Sequence, residues 1–203
     1  RKITGKSDVD DDIKSMSSII QNTVKGKLID LFKPGVSFLV LLGIAIAVFQ
    51  QISGANAVFF YAPIIFERAG MDVEDQLFQQ VMIGTINLIF TVVAMRLVDR
   101  WGRKKLMLSG SLFMAVWLLL IGLCFAFDFY KGYALTVLVL IFIATYATTL
   151  APVTWVLISE IFPSKIRGVA ISLATGMLWL ACFGLAYGFP VLIDLLEASQ
   201  TFF

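Results

Sequence analysis

The sequence predicts an all-α protein, a polytopic bundle of transmembrane helices, and three observations lead to this fold class. Of its 203 residues, 59% are hydrophobic and only 15% are charged, unlike an ordinary soluble domain. Five apolar stretches are each at least as long as the roughly 20 residues that a helix needs to cross a bilayer. None alternates polar and apolar residues as barrel strands do, so the stretches are predicted to be helices. The predicted spans are 36–66, 77–98, 106–127, 133–159 and 169–196.

Lysine and arginine are distributed unevenly between the segments that connect these spans. Segment 1–35 and the loops after the second and fourth spans carry 14 of the 16 basic residues, and the other two loops carry 2. Cytoplasmic segments of membrane proteins are enriched in Lys and Arg. We therefore expect a multi-pass protein of a bacterial inner or cell membrane, with segment 1–35 in the cytoplasm.

Composition and motifs argue against several other classes of protein. The chain has no histidine, which disfavours zinc sites and histidine acid–base chemistry. Cys124 and Cys182 lie within apolar spans and are predicted to be buried, inert thiols. The sequence shows no nucleophile–base pair, metal set or phosphate-binding loop, so neither an enzyme nor a cofactor is predicted. The basic residues are explained by membrane topology, and no nucleic-acid partner is expected.

The chain divides into a polar segment, 1–33, and the region 34–203 with the five spans. A run of acidic residues and then apolar residues at helical spacing predict a partly helical cytoplasmic segment in 1–33, with a solvated linker as the alternative. An odd number of spans and a first residue other than Met suggest a fragment, with further spans expected at both ends.

The first span is longer than one crossing needs and carries a polar cluster near its middle. Gln50, Gln51, Ser53 and Asn56 surround Gly54, a residue that weakens a helix. Each of these polar groups needs a partner at bilayer depth. Gln51 and Asn56 would face one cavity only if the helix breaks near Gly54, and broken helices build the midplane sites of transporters. A binding site is therefore predicted, with interhelical hydrogen bonding as the alternative.

The other spans carry fewer polar or helix-breaking residues. Asn87 in the second span fits a ligand contact or a helix–helix contact equally well. Pro152 is predicted to kink the fourth span, so that Trp155 projects from the kinked half. In the fifth span Trp179 fits either a cavity lining or packing. Three glycines of that span predict close helix packing, and they are Gly176, Gly184 and Gly188.

Opposite charges face each other in two of the basic loops. The loop after the second span contains Asp99, Arg100, Arg103 and Lys104 around Gly102, which permits a tight turn. The loop after the fourth span begins at Glu160 and ends at Arg167. Such a cluster could hold a cytoplasmic gate closed in one state and release it in another. A plain positive-inside anchor is the alternative for the first loop.

Three motifs, taken in order, resemble the sugar porter family of the major facilitator superfamily over essentially the whole chain. They are Gln-Gln-x-Ser-Gly-x-Asn over 50–56 with Phe-Phe-Tyr-Ala-Pro over 59–63, Asp-Arg-x-Gly-Arg-Lys over 99–104, and Trp-x-x-x-Ser-Glu-Ile-Phe-Pro-x-x-x-Arg over 155–167. The residues of these motifs are most similar to those of bacterial pentose–proton and hexose–proton symporters. The resemblance implies helices seven to eleven of twelve, with 1–33 between the two halves of the transporter.

The same resemblance implies a set of substrate contacts. Amides donate and accept hydrogen bonds as sugar hydroxyls do, and indole rings cover the apolar face of a sugar. The implied partners are a monosaccharide, the lipid bilayer and the N-terminal half of the same transporter. The implied contacts are Gln50, Gln51, Asn56, Asn87, Trp155 and Trp179.

The sequence departs from the family pattern at several positions. Phe60 replaces the first of two tyrosines, Ala151 and Thr154 interrupt a Gly-Pro-x-Pro-Trp pattern, and Leu178 replaces a common amide. The expected function is alternating-access transport of a pentose or hexose, proton-coupled in the intact protein. The alternatives are a carrier of another polyol or organic solute, a sugar sensor that does not transport, and a structural membrane protein.

Overall fold

A computed structural model of the chain describes residues 28–127 and 134–201. The described residues form a short 3-10 turn, Leu28–Phe32, and a series of α-helices without strands. The helices are α1 (Val36–Ile52), α2 (Ala55–Arg68), α3 (Val73–Trp101), α4 (Arg103–Ala126), α5 (Ala134–Thr148), α6 (Leu150–Glu160) and α7 (Arg167–Thr201). The first span consists of α1 and α2, and the fourth of α5 and α6.

Five membrane-length segments confirm the five predicted spans. They are Val36–Arg68, Val73–Trp101, Arg103–Ala126, Ala134–Glu160 and Arg167–Ile193. Every span exposes large apolar side chains on its outer surface, for example Phe38, Val81, Leu112 and Phe183. A soluble monomer rarely exposes contiguous apolar patches of more than a few hundred Å². The fold is therefore a polytopic helical bundle whose surface suits lipid.

The first span breaks where the sequence predicts it to break. Helix α1 ends at Ile52 and α2 begins at Ala55, with Gly54 between them at φ 79° and ψ −2°. This left-handed conformation costs glycine little and other residues more. The hydroxyl of Ser53 donates to the carbonyl oxygen of Gln50 at 2.5 Å, which satisfies one carbonyl at the broken end.

The fourth span is interrupted at Thr149, three residues before the predicted kink at Pro152. Thr149 has φ −120° and ψ −85°, and α6 begins at the next residue. Pro152 thus lies in the first turn of α6, where a missing N–H costs nothing. Its ring would clash with the carbonyl of Thr148, so the chain leaves the helix just after that residue. The hydroxyl of Thr148 also donates to the carbonyl of Ala144 at 2.5 Å, a contact that bends helices.

The buried apolar residues form two main clusters at different levels of the bundle. The first, called the inner core, joins the 3-10 turn, α1, α6 and the first part of α7, and includes Leu31, Ala47, Phe162 and Leu178. The second, the outer core, joins α2 to α3, α4, α5 and the later part of α7. Gly54 therefore separates a helix of the inner core from a helix of the outer core.

Close helix packing uses different glycines from those predicted. A Cβ built on Gly43 would lie 2.5 Å from Cζ of Phe162, and one on Gly110 would overlap the side chain of Thr149. The three glycines predicted to pack closely in the fifth span do not do so against the described helices. Within the described chain, a Cβ on Gly176, Gly184 or Gly188 meets no atom within 4 Å. Small residues allow close approach only where a neighbouring helix faces them, and no described helix approaches these three glycines.

The basic segments meet at one end of the bundle. Leu31 of the 3-10 turn packs in the inner core with Phe162 and Ile166 of the loop before α7. Arg103, at the start of α4, forms an ion pair with Glu160, at the end of α6. We call this shared end of the bundle the basic end. The meeting of these segments agrees with the predicted alternation of basic and non-basic loops. The cytoplasmic location of the basic end stays a prediction. The helical segment predicted in 1–33 lies largely outside the described residues.

Candidate functional site

Three amide side chains at the break of the first span form a continuous hydrogen-bonded chain. Asn56 Nδ2 donates to Gln51 Oε1 at 2.6 Å, and Gln51 Nε2 donates to Gln50 Oε1 at 3.3 Å. The side chains of Gln50 and Gln51 are 4% and 2% exposed. Gly54 makes this arrangement possible because its left-handed turn brings Asn56 back toward Gln51. We call Gln50, Gln51 and Asn56 the amide chain.

Two neighbouring spans contact the ends of the amide chain. Gln50 Nε2 donates to the hydroxyl oxygen of Tyr146, on α5, at 3.0 Å. Asn56 Nδ2 lies 3.7 Å from Sγ of Cys182, on α7. Sequence reasoning missed Tyr146 altogether and treated Cys182 only as a buried thiol. The one signal for Tyr146 was a hydroxyl in an apolar span, which does not say which helix face it occupies.

The amide chain has a consistent donor direction, from Asn56 through Gln51 and Gln50 to Tyr146. Asn56 Oδ1 has no hydrogen-bond donor within the described residues, and Asn56 is only half-buried. Gln50 and Gln51 each retain a second N–H on their amide nitrogens. The cluster can therefore both accept from and donate to a neutral, hydroxyl-rich molecule without introducing a charge.

The three remaining predicted sugar contacts form no hydrogen bond with the amide chain among the described residues. Asn87 is half-buried on α3, and its main-chain carbonyl accepts a hydrogen bond from the hydroxyl of Thr91 at 2.7 Å. Trp155 and Trp179 are 44% and 59% exposed. The residue that precedes each tryptophan in the sequence is buried: Thr154 before Trp155, and Leu178 before Trp179. Their rings are thus presented at the surface of the described bundle.

The charges at the basic end pair selectively. Arg103 donates from an Nη to Glu160 Oε1 at 3.0 Å. Arg167 donates from Nε to the carbonyl of Phe162 at 3.2 Å, which closes the loop before α7. The predicted neighbours Asp99, Arg100 and Lys104 are exposed and form no ion pair within the described chain. The structure therefore selects one cross-loop pair from the six predicted gate residues.

Two cavities lie away from the amide chain. One, of about 440 Å³, opens between α2 and α7 and is lined by Tyr61, Glu67 and Arg68 together with Phe189 and apolar neighbours. The other, of about 460 Å³, is an apolar groove between α4 and α5 beside Cys124. Neither of these two cavities is lined by a residue of the amide chain.

Comparison with known proteins identifies similar membrane proteins. A family model described as "Sugar (and other) transporter" matches residues 1–203. The chain is 37% identical over 201 residues to the arabinose-proton symporter of Bacillus subtilis. The aligned region covers 99% of this chain and 43% of that protein. It is 40% identical over 172 residues to the glucose facilitated diffusion protein of Zymomonas mobilis, covering 85% of this chain and 36% of that protein.

A solved structure supports the same grouping at the level of the fold. The inward-open xylose transporter XylE from Escherichia coli superposes with a TM-score of 0.76 and 31% identity, covering 100% of this chain and 41% of that chain. The sequence thus spans less than half the length of the curated relatives it matches. The activities and substrates named for those relatives belong to the whole proteins, of which this chain matches only a part.

Proposed function

This chain belongs to the sugar (and other) transporter family, the sugar porters of the major facilitator superfamily, and on that premise we propose that it is part of a monosaccharide carrier. The intact protein moves a pentose or hexose across the membrane by alternating access. Its partners are the sugar, the bilayer and an N-terminal half that completes the cavity. The chain itself supplies transport helices and has no enzymatic role.

The amide chain is the observation that carries this proposal. Buried amides in an apolar bundle are costly unless they serve as hydrogen-bonding groups. Gln50, Gln51 and Asn56 present unused donors and an acceptor at a helix break, which suits hydroxyl groups. Their neutrality suits an uncharged solute, because no charge would be left unpaired when the solute leaves.

The remaining site residues have proposed roles that follow from side-chain chemistry. Trp155 and Trp179 offer indole faces to the C–H face of a sugar ring, and Asn87 offers one more amide. The cluster Asp99, Arg100, Arg103, Lys104, Glu160 and Arg167 acts as a gate at the basic end. The exposure of both indoles supports this assignment, since it leaves their rings open to contact with a sugar.

Proton coupling is proposed for the intact protein. One relative is named a proton symporter and another a facilitated diffusion protein, so membership of the family allows both modes. The described spans carry acidic residues chiefly at their ends, so a carboxylate that couples proton and sugar would belong to the other half.

A carrier of a different polyol is the second candidate, and Leu178 is the observation that favours it. Its side chain is buried in the inner core, where the family pattern commonly has an amide. A leucine there cannot hydrogen-bond a hydroxyl, so the preferred solute differs from that of a carrier with the amide.

Uptake by the full-length protein in proteoliposomes tests the proposal. Labelled pentoses, hexoses and polyols are offered with and without a protonophore, with empty liposomes as the control. We expect saturable uptake of at least one monosaccharide that the protonophore reduces. Uptake insensitive to the protonophore would establish facilitated diffusion instead, and uptake of polyols alone would favour the second candidate. No uptake of any of these solutes would refute the proposed function.

A further inference from the structure

Two prolines inside helices leave main-chain carbonyls without their helical donors. Pro63 lies in α2 and Pro190 lies in α7. Because proline has no N–H, the carbonyl four residues earlier loses its usual hydrogen bond. These carbonyls belong to Phe59 and Ala186. In lipid, each such group needs another donor.

A side chain from another span meets each freed carbonyl. Gln80 Nε2, on α3, donates to the carbonyl oxygen of Phe59 at 3.3 Å. The hydroxyl of Tyr61, on α2, donates to the carbonyl oxygen of Ala186 at 2.6 Å. The second bond is the shorter one, and it joins a broken span directly to the fifth span.

The ring of Tyr61 adds a second contact to the same helix. It stacks on Phe189 with ring centroids 5.2 Å apart and planes 24° apart. Asn56 touches the same helix one turn earlier, where its Nδ2 approaches Cys182. Helix α2 is thus held against α7 at two levels, by the amide chain at one and by Tyr61 at the other.

The Tyr61 contact lies within the outer core, which Phe189 belongs to and Tyr61 packs against. On α7, Leu178 packs in the inner core, whereas Phe189 and Ile193 pack in the outer core. Helix α2 packs in the outer core, and α1 packs in the inner core. Pro190 weakens α7 within the outer core, because the helix there lacks one hydrogen bond. The part of α7 that comes after the inner-core residue Leu178 and packs in the outer core, which we call outer α7, can therefore follow α2.

We propose that Tyr61 is a positioning residue that fastens α2 to the outer part of α7, so that the two segments move as one body and Asn56 keeps its place in the amide chain. The hydroxyl replaces the donor that Pro190 removes. The effect on sugar affinity rests on the proposed function, whereas the mechanical coupling does not.

A double-mutant cycle isolates the hydroxyl in the full-length protein. Tyr61→Phe removes the hydroxyl and keeps the ring stack on Phe189. Pro190→Ala restores an N–H for the Ala186 carbonyl, so the hydroxyl becomes dispensable. Spin labels at Glu67 and Leu195, both exposed, report the distance between α2 and outer α7 without sugar. We expect Tyr61→Phe to broaden the distance distribution in the parent and to leave it nearly unchanged in the Pro190→Ala background.

Tyr187→Phe is the matched control, because Tyr187 lies on the same helix and is 73% exposed. It should leave the distance distribution as in the parent. Unfolding temperatures of all variants show whether each one is folded. Equal distributions for Tyr61→Phe and the parent would overturn the proposal, as would an equal broadening in the Pro190→Ala background.

Sugar binding provides the second readout. Tyr61→Phe should weaken the affinity on the order of fivefold, the size expected for one hydrogen bond, with a smaller change in the Pro190→Ala background. A broadened distance with unchanged affinity would overturn the positioning of Asn56. If the parent binds no sugar at all, the proposed function fails, and the distance measurement still decides whether Tyr61 couples the helices.

Discussion

Arg103 and Glu160 form an ion pair at 3.0 Å although each stands at the helix end that disfavours its charge. Arg103 is the first residue of α4, where the helix dipole is positive, and Glu160 is the last residue of α6, where it is negative. Each misplaced charge costs about 0.3–1 kcal/mol at an exposed helix end. The pair offsets this cost only while the two loops are together, which suits a contact that is made in one state and released in another.

Removal of either charge should therefore shift the conformational equilibrium of the full-length transporter. Both side chains are partly exposed, so the pair itself contributes at most about 1 kcal/mol, a several-fold bias. Glu160→Ala or Arg103→Ala should raise the accessibility of the cavity from the basic end, measured by labelling of introduced cysteines. The double exchange Arg103→Glu with Glu160→Arg should restore the parent value. Lys105→Ala, an exposed neighbour, serves as the control, and identical accessibility in every variant would exclude the gate.

Gln51 should be the most sensitive member of the amide chain. Gln51→Ala removes the acceptor for Asn56 and the donor for Gln50, and it leaves sugar hydroxyls without partners. The expected cost is about 1–3 kcal/mol, which corresponds to a loss of affinity of roughly 5- to 150-fold. Isothermal titration on purified full-length protein measures the change. Gln76→Ala, which removes an amide that binds only the carbonyl of Met71, should leave affinity unchanged. Parent-like binding by Gln51→Ala would mean that the amides only hold helices together.

Tyr146 should act on the sugar through Gln50. Tyr146→Phe removes the oxygen that accepts from Gln50 Nε2 at 3.0 Å and keeps the buried ring. The freed amide can rotate, so we expect an affinity loss of about 2- to 12-fold, equivalent to about 0.5–1.5 kcal/mol. The loss should be smaller in a Gln50→Ala background, because the amide that Tyr146 orients is gone. Equal losses in the two backgrounds would show that the hydroxyl acts on its own.

Gly110 should tolerate no side chain. A Cβ there would overlap Thr149 at the interruption of the fourth span, and neither backbone can retreat without disturbing that interruption. Gly110→Ala should lower the free energy of unfolding by about 1–3 kcal/mol, the usual cost of overpacking. Thermal unfolding in detergent measures it. Gly176→Ala, where no atom lies within 4 Å of the added Cβ, should be neutral or slightly stabilising. Similar melting temperatures for both variants would contradict the packing described at Gly110.

The predicted orientation rests on the uneven distribution of basic residues. A cysteine introduced at Lys104 should react with a membrane-impermeant maleimide only from the cytoplasmic side, and one at Asp72 only from outside. Both positions are exposed, so protein packing does not block the reagent. The parent, with Cys124 and Cys182, gives the background labelling. The opposite pattern of labelling would reverse the orientation.

The sequence by itself determined the class of the fold and the most important break. The thickness of the bilayer's hydrocarbon core sets the length of each apolar stretch, and this length requirement acts on every span separately. The break at Gly54 was also predictable, because its cause is local: a glycine among polar residues in a span too long for one crossing. The sequence also indicated that such a break would let Gln51 and Asn56 face one cavity, whereas their hydrogen bond was seen only in the structure. The family, too, could be read from three local motifs.

Only the tertiary structure decided which helix faces meet. The sequence placed close packing at Gly176, Gly184 and Gly188, whereas the close approaches occur at Gly43 and Gly110. In lipid, outward and inward faces are both apolar, so hydropathy carries little information about rotation of a helix around its axis.

The same reason explains the partners that sequence reasoning missed. Tyr146 reaches Gln50 across 96 positions of the chain, and Tyr61 reaches Ala186 across 125. These contacts arise from packing between spans, and no local pattern of residues specifies them.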